Sequence, residues 1–366
     1  MSVSEDKKPD PKSWLKKGKK RSLLIFLFVL LNVVVIAATA GAEFGNSANA
    51  AGLSEVKIDW WLLIPTVLCF LVALTFEIRK YVVMMQEMSK DKGEFNRGEA
   101  RKVARRTVLL GKYYDNITPA AIGGQPFQIY YMRKNSGLSK GTSTSIPIFG
   151  MIAGQIGFLI IALICFIFGS AAINNAILLT TAWFGLLFYA FWPVMIAGIS
   201  FFPKQTTAFI NFIVKILAKM HIIKNRNAAL EKVESELKEY TKSIKTILKT
   251  KGLFAKTVAL SVGFNFLIAV IPFFVLTAFG GGLDFWTCLA TTVAVMAAVY
   301  FIPTPGNAGA AEGTFFLVFS GLSSGYVFWA MLLWRFFSYY IYIILGPIIY
   351  YRMHCEKKKE KLDAET

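Results

Sequence analysis

Residues 303–321 read PTPGNAGAAEGTFFLVFSG, and the reading of that stretch decides the fold. Its second half is apolar enough for a bilayer, but Pro303, Pro305, Gly306 and Gly309 interrupt its start, where an ordinary helix would lose hydrogen bonds. Long apolar runs surround it. Leu23 to Ala40, Trp60 to Ile78, Ile146 to Phe168, Ala176 to Phe201, Leu253 to Phe279, Phe285 to Ile302 and Tyr326 to Tyr350 all approach the roughly 20 residues that a spanning helix needs. The chain is 55% hydrophobic and 17% charged, whereas soluble domains carry about 25% charged residues. The predicted fold class is therefore all-α, a polytopic integral membrane helical bundle.

Charge placement orients the bundle. The blocks Arg79 to Lys112 and Lys204 to Lys251 are rich in Lys and Arg, whereas Ala42 to Asp59, Ser170 to Asn175 and Gly280 to Asp284 contain almost none. The basic blocks mark the cytoplasmic side by the positive-inside rule. The amino end, with Lys7 through Arg21, and the tail from Arg352 to Lys361 are also basic, so both termini are expected in the cytoplasm of a multi-pass cell-membrane protein. The first apolar run, at about 18 residues, exceeds the 7 to 15 of a signal-peptide core and is read as an uncleaved span. Termini on one side demand an even number of crossings, and seven apolar runs are odd. The reading therefore assigns the missing crossing to a broken helix over 303–321, for about eight in all.

A second irregular segment, Ile117 to Tyr131, lies between Arg105, Arg106 and Lys112 on one side and Arg133, Lys134 and Lys140 on the other, and is expected to dip in and return. Thr118-Pro119 followed by Gly123-Gly124 matches Thr304-Pro305 followed by Gly309-Ala310 at the same spacing, a degenerate internal repeat. Paired, interrupted segments in two halves of a membrane chain point to a binding site near the midplane between inverted repeats.

The net charge of +18 does not imply nucleic acid, because the cations sit in membrane-proximal blocks without interleaved aromatic residues. With only His221 and His354, and no HExxH, Walker loop or GxSxG, no metal, cofactor or catalytic residue is expected. Cys69, Cys165 and Cys288 lie inside apolar runs and Cys355 just beyond the last, so neither a disulfide framework nor a metal pair is available. The block 204–251 contains Leu230, Val233, Leu237, Tyr240, Ile244 and Ile247 at helical spacing: a helix on anionic headgroups or a connecting helix packed on the bundle.

The candidate substrate-binding residues are polar or ionisable groups at membrane depth and the two breaks. Arg335, between Trp334 and Phe336, is suited to clamp a phosphate bidentately or to pair with an intramembrane acid. Glu312 caps a helix that starts after the break, couples a proton or cation, or bridges to Arg335. Thr304, Pro305, Gly306, Asn307 and Gly309 form one break. Thr118, Pro119, Gly123, Gly124, Gln125 and Gln128, with Tyr130 and Tyr131 beyond, form the other. Backbone N–H groups at a half-helix start can seat a phosphate, or the breaks can serve packing alone. Arg105 and Arg106 either meet a headgroup from the cytoplasmic leaflet or mark the inside face.

The run from Tyr113 through Pro119, Gly123 to Gln128 and Tyr130-Tyr131, then Pro303 to Gly309 with Glu312, then Leu333-Trp334-Arg335 with Tyr339-Tyr340, resembles the lysylphosphatidylglycerol synthase transmembrane, flippase-like family over roughly residues 20–350. Asn307 stands where a second glycine is expected in relatives. The multiple peptide resistance factors of that family join a flippase domain to a soluble domain that transfers lysine from lysyl-tRNA to phosphatidylglycerol. The resemblance implies a flippase-like domain over 23–351 between a basic amino end, 1–22, and a basic tail, 352–366. It implies handling of a phospholipid or lipid-linked anionic substrate such as (lysyl-)phosphatidylglycerol. The competing reading is a phosphatidylglycerol lysyltransferase conferring antimicrobial peptide resistance, alone or with a separate aminoacyltransferase chain, since no soluble transferase domain follows the last span. Membrane lipids with anionic headgroups are the expected partners; homo-oligomerisation stays open.

Overall fold

The computed structural model describes residues 58–89, 97–121, 123–169, 175–201, 250–321 and 326–365, with scattered positions elsewhere. The expected first span, 23–40, and the amphipathic segment, 204–251, lie largely outside the described residues. Ten helices follow one another and no strand occurs among the described residues: α1 (Leu63–Ser89), α2 (Arg97–Ile117), α3 (Gly124–Asn135), α4 (Lys140–Gly169), α5 (Ala176–Phe201), α6 (Lys251–Ala278), α7 (Phe285–Val299), α8 (Ala310–Ser320), α9 (Val327–Arg335) and α10 (Ile341–Glu365). A turn of π-helix, Phe336–Tyr340, joins α9 to α10.

Helices dominate because an apolar chain in hydrocarbon must satisfy its own backbone. Hydroxyls inside the helices follow the same rule, Thr66, Thr107 and Thr257 each donating to the carbonyl one turn back. Five stretches are long and apolar enough to cross a membrane: Trp60–Ser89, Lys140–Gly169, Ala176–Met195, Gly252–Ala278 and Val327–Glu356. Three of them, through α4, α5 and α6, pack on α7, most of whose residues are buried. The close approach of α5 to α7 depends on Gly185, where a Cβ would lie within 1.9 Å of the Ala297 carbonyl oxygen.

The expected count of about eight crossings is not reached among the described residues, and the reason lies in 285–320. The Asp59 N–H donates to the Ala278 carbonyl at 3.0 Å and the Tyr326 N–H to the Phe279 carbonyl at 3.2 Å. These bonds gather the start of α1, the end of α6 and the start of α9 at one end of the bundle. Since α7 leaves that end and α8 returns to it, with α7 packed on α8, the segment is a hairpin rather than a crossing. Run 285–302 scores as apolar, yet α7 has 15 residues. At 1.5 Å per residue it reaches about 22 Å, short of the roughly 30 Å of a hydrocarbon core. Counting it as a span was what forced the search for a further crossing.

Helices α2 and α3 form the second hairpin, entering from the opposite end. Lys102 and Arg106 of α2 pair with Glu356, near the far end of the last span. A hairpin stands where the dip over Ile117 to Tyr131 was expected, but it is longer: its entering arm, α2, runs from Arg97 and carries Lys112, expected on the basic flank, into the bundle. Its turn, Pro119–Ala121, packs against the turn Pro305–Asn307 of the first hairpin. The two broken segments face each other tip to tip.

Candidate functional site

At the α7–α8 tip the chain reverses through left-handed backbone at Gly306 (φ +58°), Asn307 (φ +57°) and Gly309 (φ +89°). Asn307 is the non-glycine residue among these, a type that tolerates the region. Its side-chain amide donates to the Val299 carbonyl and so closes the end of α7. The Thr304 hydroxyl donates to the Ala308 carbonyl at 2.9 Å. Glu312, in the first turn of α8, accepts from the Gly309 N–H at 2.8 Å with one carboxylate oxygen. The other oxygen receives Arg335 Nε at 2.6 Å. Capping and salt bridging are thus realised together, with Glu312 1% and Arg335 5% exposed. Arg335 also donates from Nη2 to the Gly306 carbonyl at 3.2 Å, and its guanidinium lies 4.3 Å from the Tyr339 ring centre. The arginine therefore ties the tip to the π turn of the last span.

The opposing tip is closed from within. The Thr118 hydroxyl donates to the Tyr114 carbonyl at 2.7 Å and accepts from the Gly123 N–H at 2.8 Å, while Asp115 accepts from the Gly124 N–H at 2.9 Å. These donors, expected as seats for a substrate anion, are occupied by their own hairpin, as Gly309 is by Glu312. A Cβ on Gly124 would lie 2.2 Å from Asp115 Oδ1. Pro119 opens the turn, with Ala121 at φ +51°. Asn116 reaches across from this tip and donates to the Tyr339 carbonyl at 3.1 Å.

A cavity of about 370 Å³ lies where the tips meet, walled by both turns, by α1 to α7 and by the last span at Ser338 and Tyr342. Of the residues expected at a site, Gly306, Asn307, Gln125 and Gln128 line it. Gln128 is held on both sides, accepting from Tyr81 at 3.1 Å and donating to the Thr107 carbonyl at 3.3 Å. Arg335, Glu312, Thr118, Pro119, Thr304, Pro305, Gly309, Gly123 and Gly124 stand behind this wall as its support. Tyr131 is buried in the packing between α2, α3 and α4, whereas Tyr130 faces outward near Lys134. Arg106 is engaged at 2.5 Å with Glu356, away from the cavity.

Several lining residues were not singled out from the sequence. Glu77 and Lys80 pair at 2.8 Å, and Lys80 further donates to the Gly150 carbonyl at 3.1 Å. Both stand at the boundary between an apolar run and a basic block, so they look like the edge of a loop until α1 continues to Ser89. Lys112 and Asp115, one turn apart on α2, complete two lysines and two acids around one space. Gln155 and Asn265 interrupt otherwise apolar spans, a signal that an intramembrane search for amides as well as charges would have found. Gln155 donates to the Tyr300 hydroxyl at 3.2 Å and Asn265 to the Gly154 carbonyl at 3.1 Å. The Oε1 atoms of Gln125 and Gln155 and the Ser338 hydroxyl are buried at this wall without a hydrogen-bond partner among the described residues.

Opposed hairpins with this set of motifs are accompanied by a family match: residues 22–346 fit the model of the lysylphosphatidylglycerol synthase TM region. The chain belongs to that family. The match covers both hairpins and the Arg335 turn, so the cavity lies within the family domain and the chain is one of its membrane-embedded members. Neither the curated proteins nor the solved structures include a match to it.

Proposed function

We propose that this family member moves an anionic or mixed-charge lipid between leaflets, admitting its headgroup to the cavity between the hairpin tips. The observation that carries the reading is a polar cavity at the meeting point of two hairpins that enter an apolar bundle from opposite ends. Its volume falls within the roughly 300–1,000 Å³ of small-molecule sites. Two lysines, Lys80 and Lys112, favour a phosphate; two acids, Glu77 and Asp115, favour an ammonium. Both groups occur together on lysyl-phosphatidylglycerol. The unpaired Gln125, Gln155 and Ser338 atoms supply further polar contacts. Arg335 and Glu312 hold the α7–α8 tip, and tilting one hairpin with its spans against the other opens the cavity to each leaflet in turn. The basic end of the bundle, with Lys102, Arg106 and the tail after Tyr351, faces the cytoplasm.

The second reading, lysyl transfer onto phosphatidylglycerol, is favoured by the family's description as part of a synthase. Leaflet-resolved translocation in proteoliposomes separates the two, using phosphatidylglycerol, lysyl-phosphatidylglycerol and a short polyprenyl phosphate. Wild type is expected to move one of them selectively, and Lys112→Gln with Asp115→Asn to slow that movement at least about tenfold, the loss of one charge-assisted contact. Movement of none by folded protein, together with lysyl transfer from charged tRNA, would replace transport with synthesis.

A further inference from the structure

Helix α1 has two polar faces. Glu77, Lys80 and Tyr81 look into the central cavity, while Thr75, Arg79, Val82, Val83 and Gln86, at helical spacing on the opposite side, line a separate groove of about 630 Å³. Arg101 and Arg105 of α2 and Lys256 of α6 complete it. Its lining holds four cations and no acid, and its apolar wall comes from Ile78, Val82 and Val83. All four cations are exposed, and none is held by an ion pair or side-chain hydrogen bond among the described residues. The contrast with the neighbouring cations is sharp: Lys80, Lys102 and Arg106 are all paired. Arg105 and Arg106 are adjacent in sequence, yet one faces the groove and the other is held by Glu356.

The groove continues downward into an apolar strip. On the same side of α1, Ile64, Val67, Leu68, Leu71 and Val72 are exposed, ending at Trp60 and Trp61, which are 68% and 79% exposed. Tryptophans so placed mark a membrane interface. From Trp61 to Arg79 the helix rises about 27 Å, close to the roughly 30 Å of a hydrocarbon core. Arg79 and its groove therefore stand at the headgroup level of the opposite leaflet, with room for acyl chains along the strip below. We propose that the groove between α1, α2 and α6 is a second lipid site that seats the phosphate of an anionic phospholipid, outside the central cavity. Two arginines supply planar donor forks suited to phosphate oxygens, and each cation near the surface strengthens anionic-lipid binding by a factor of roughly five.

The test uses the full chain in nanodiscs of phosphatidylcholine doped with phosphatidylglycerol, with bound lipid counted by native mass spectrometry after release. Wild type is expected to retain phosphatidylglycerol over phosphatidylcholine, and the set R79Q, R101Q, R105Q and K256Q to lose that preference at least about tenfold. The charge-preserving pair R101K and R105K keeps it within about threefold and controls for folding. Water-soluble glycerophosphoglycerol, lacking acyl chains, competes poorly. Unchanged retention in the glutamine set would overturn the proposal, and so would equal retention of both lipids by wild type. Competition by glycerophosphoglycerol as strong as by the intact lipid would do the same, since it would mark a soluble-anion site.

Discussion

The two hairpins share a Thr-Pro and glycine spacing, yet their tips are held in different ways. At 118–124 every closing bond comes from the same hairpin: Thr118 and Asp115 satisfy the N–H groups of Gly123 and Gly124. At 304–312 the cap, Glu312, is shared with Arg335 from another helix, and Arg335 returns to the Gly306 carbonyl. One tip is closed locally and the other by a third element. A movement of α9 is therefore transmitted to the α7–α8 tip directly through Arg335, whereas α10 reaches the other hairpin along α2, by packing and the Glu356 pairs, and touches its tip through the bond from Asn116 to the Tyr339 carbonyl.

Three substitutions test that asymmetry. The largest effect is expected at the buried pair: Glu312→Gln leaves the buried Arg335 charge without a counter-ion, with the Gly306 carbonyl still accepting from it, and costs up to about 3–5 kcal/mol. Thermal unfolding in micelles measures it, and the double variant with Arg335→Leu should cost less than the two single costs summed, because the pair acts as a unit. Additive losses would mean that the tip is not held from α9. Next comes Gly306→Val, which meets both a left-handed backbone and the Tyr339 ring 2.1 Å from its Cβ. A loss of about 1–3 kcal/mol is expected in the same melts, and it should shrink when Tyr339→Ala is combined with it. The smallest loss belongs to the local tip, where Thr118→Val removes a cap for about 1 kcal/mol. A cost for Thr118→Val equal to that of Glu312→Gln would erase the distinction between the tips.

Much of this was legible in the sequence. Apolar length gave the five spans seen among the described residues, and the Thr-Pro and glycine pairs at 118–124 and 304–310 gave two breaks, because proline and left-handed backbone are local properties. The seat of the phosphate was not legible. Gly123, Gly124 and Gly309 read as open N–H donors, but their caps come from Thr118, Asp115 and Glu312. Glu77 and Lys80 read as the margin of a basic loop, since sequence shows where hydropathy falls but not how far a helix continues past that point. Run 285–302 read as a crossing because hydropathy records polarity along the chain and carries no direction of return.

The sequence by itself determined an all-helical membrane chain, its breaks and the two buried charges Arg335 and Glu312, since polar groups set within a long apolar run are costly whatever their neighbours. Only the tertiary structure decided that 285–320 turns back, that the two breaks meet, and that Arg335 supports a tip while Lys80, Lys112, Glu77 and Asp115 surround the space. Those outcomes depend on which helix ends lie side by side, a matter of bonds such as Asp59 to Ala278 and Tyr326 to Phe279 between residues distant in the chain.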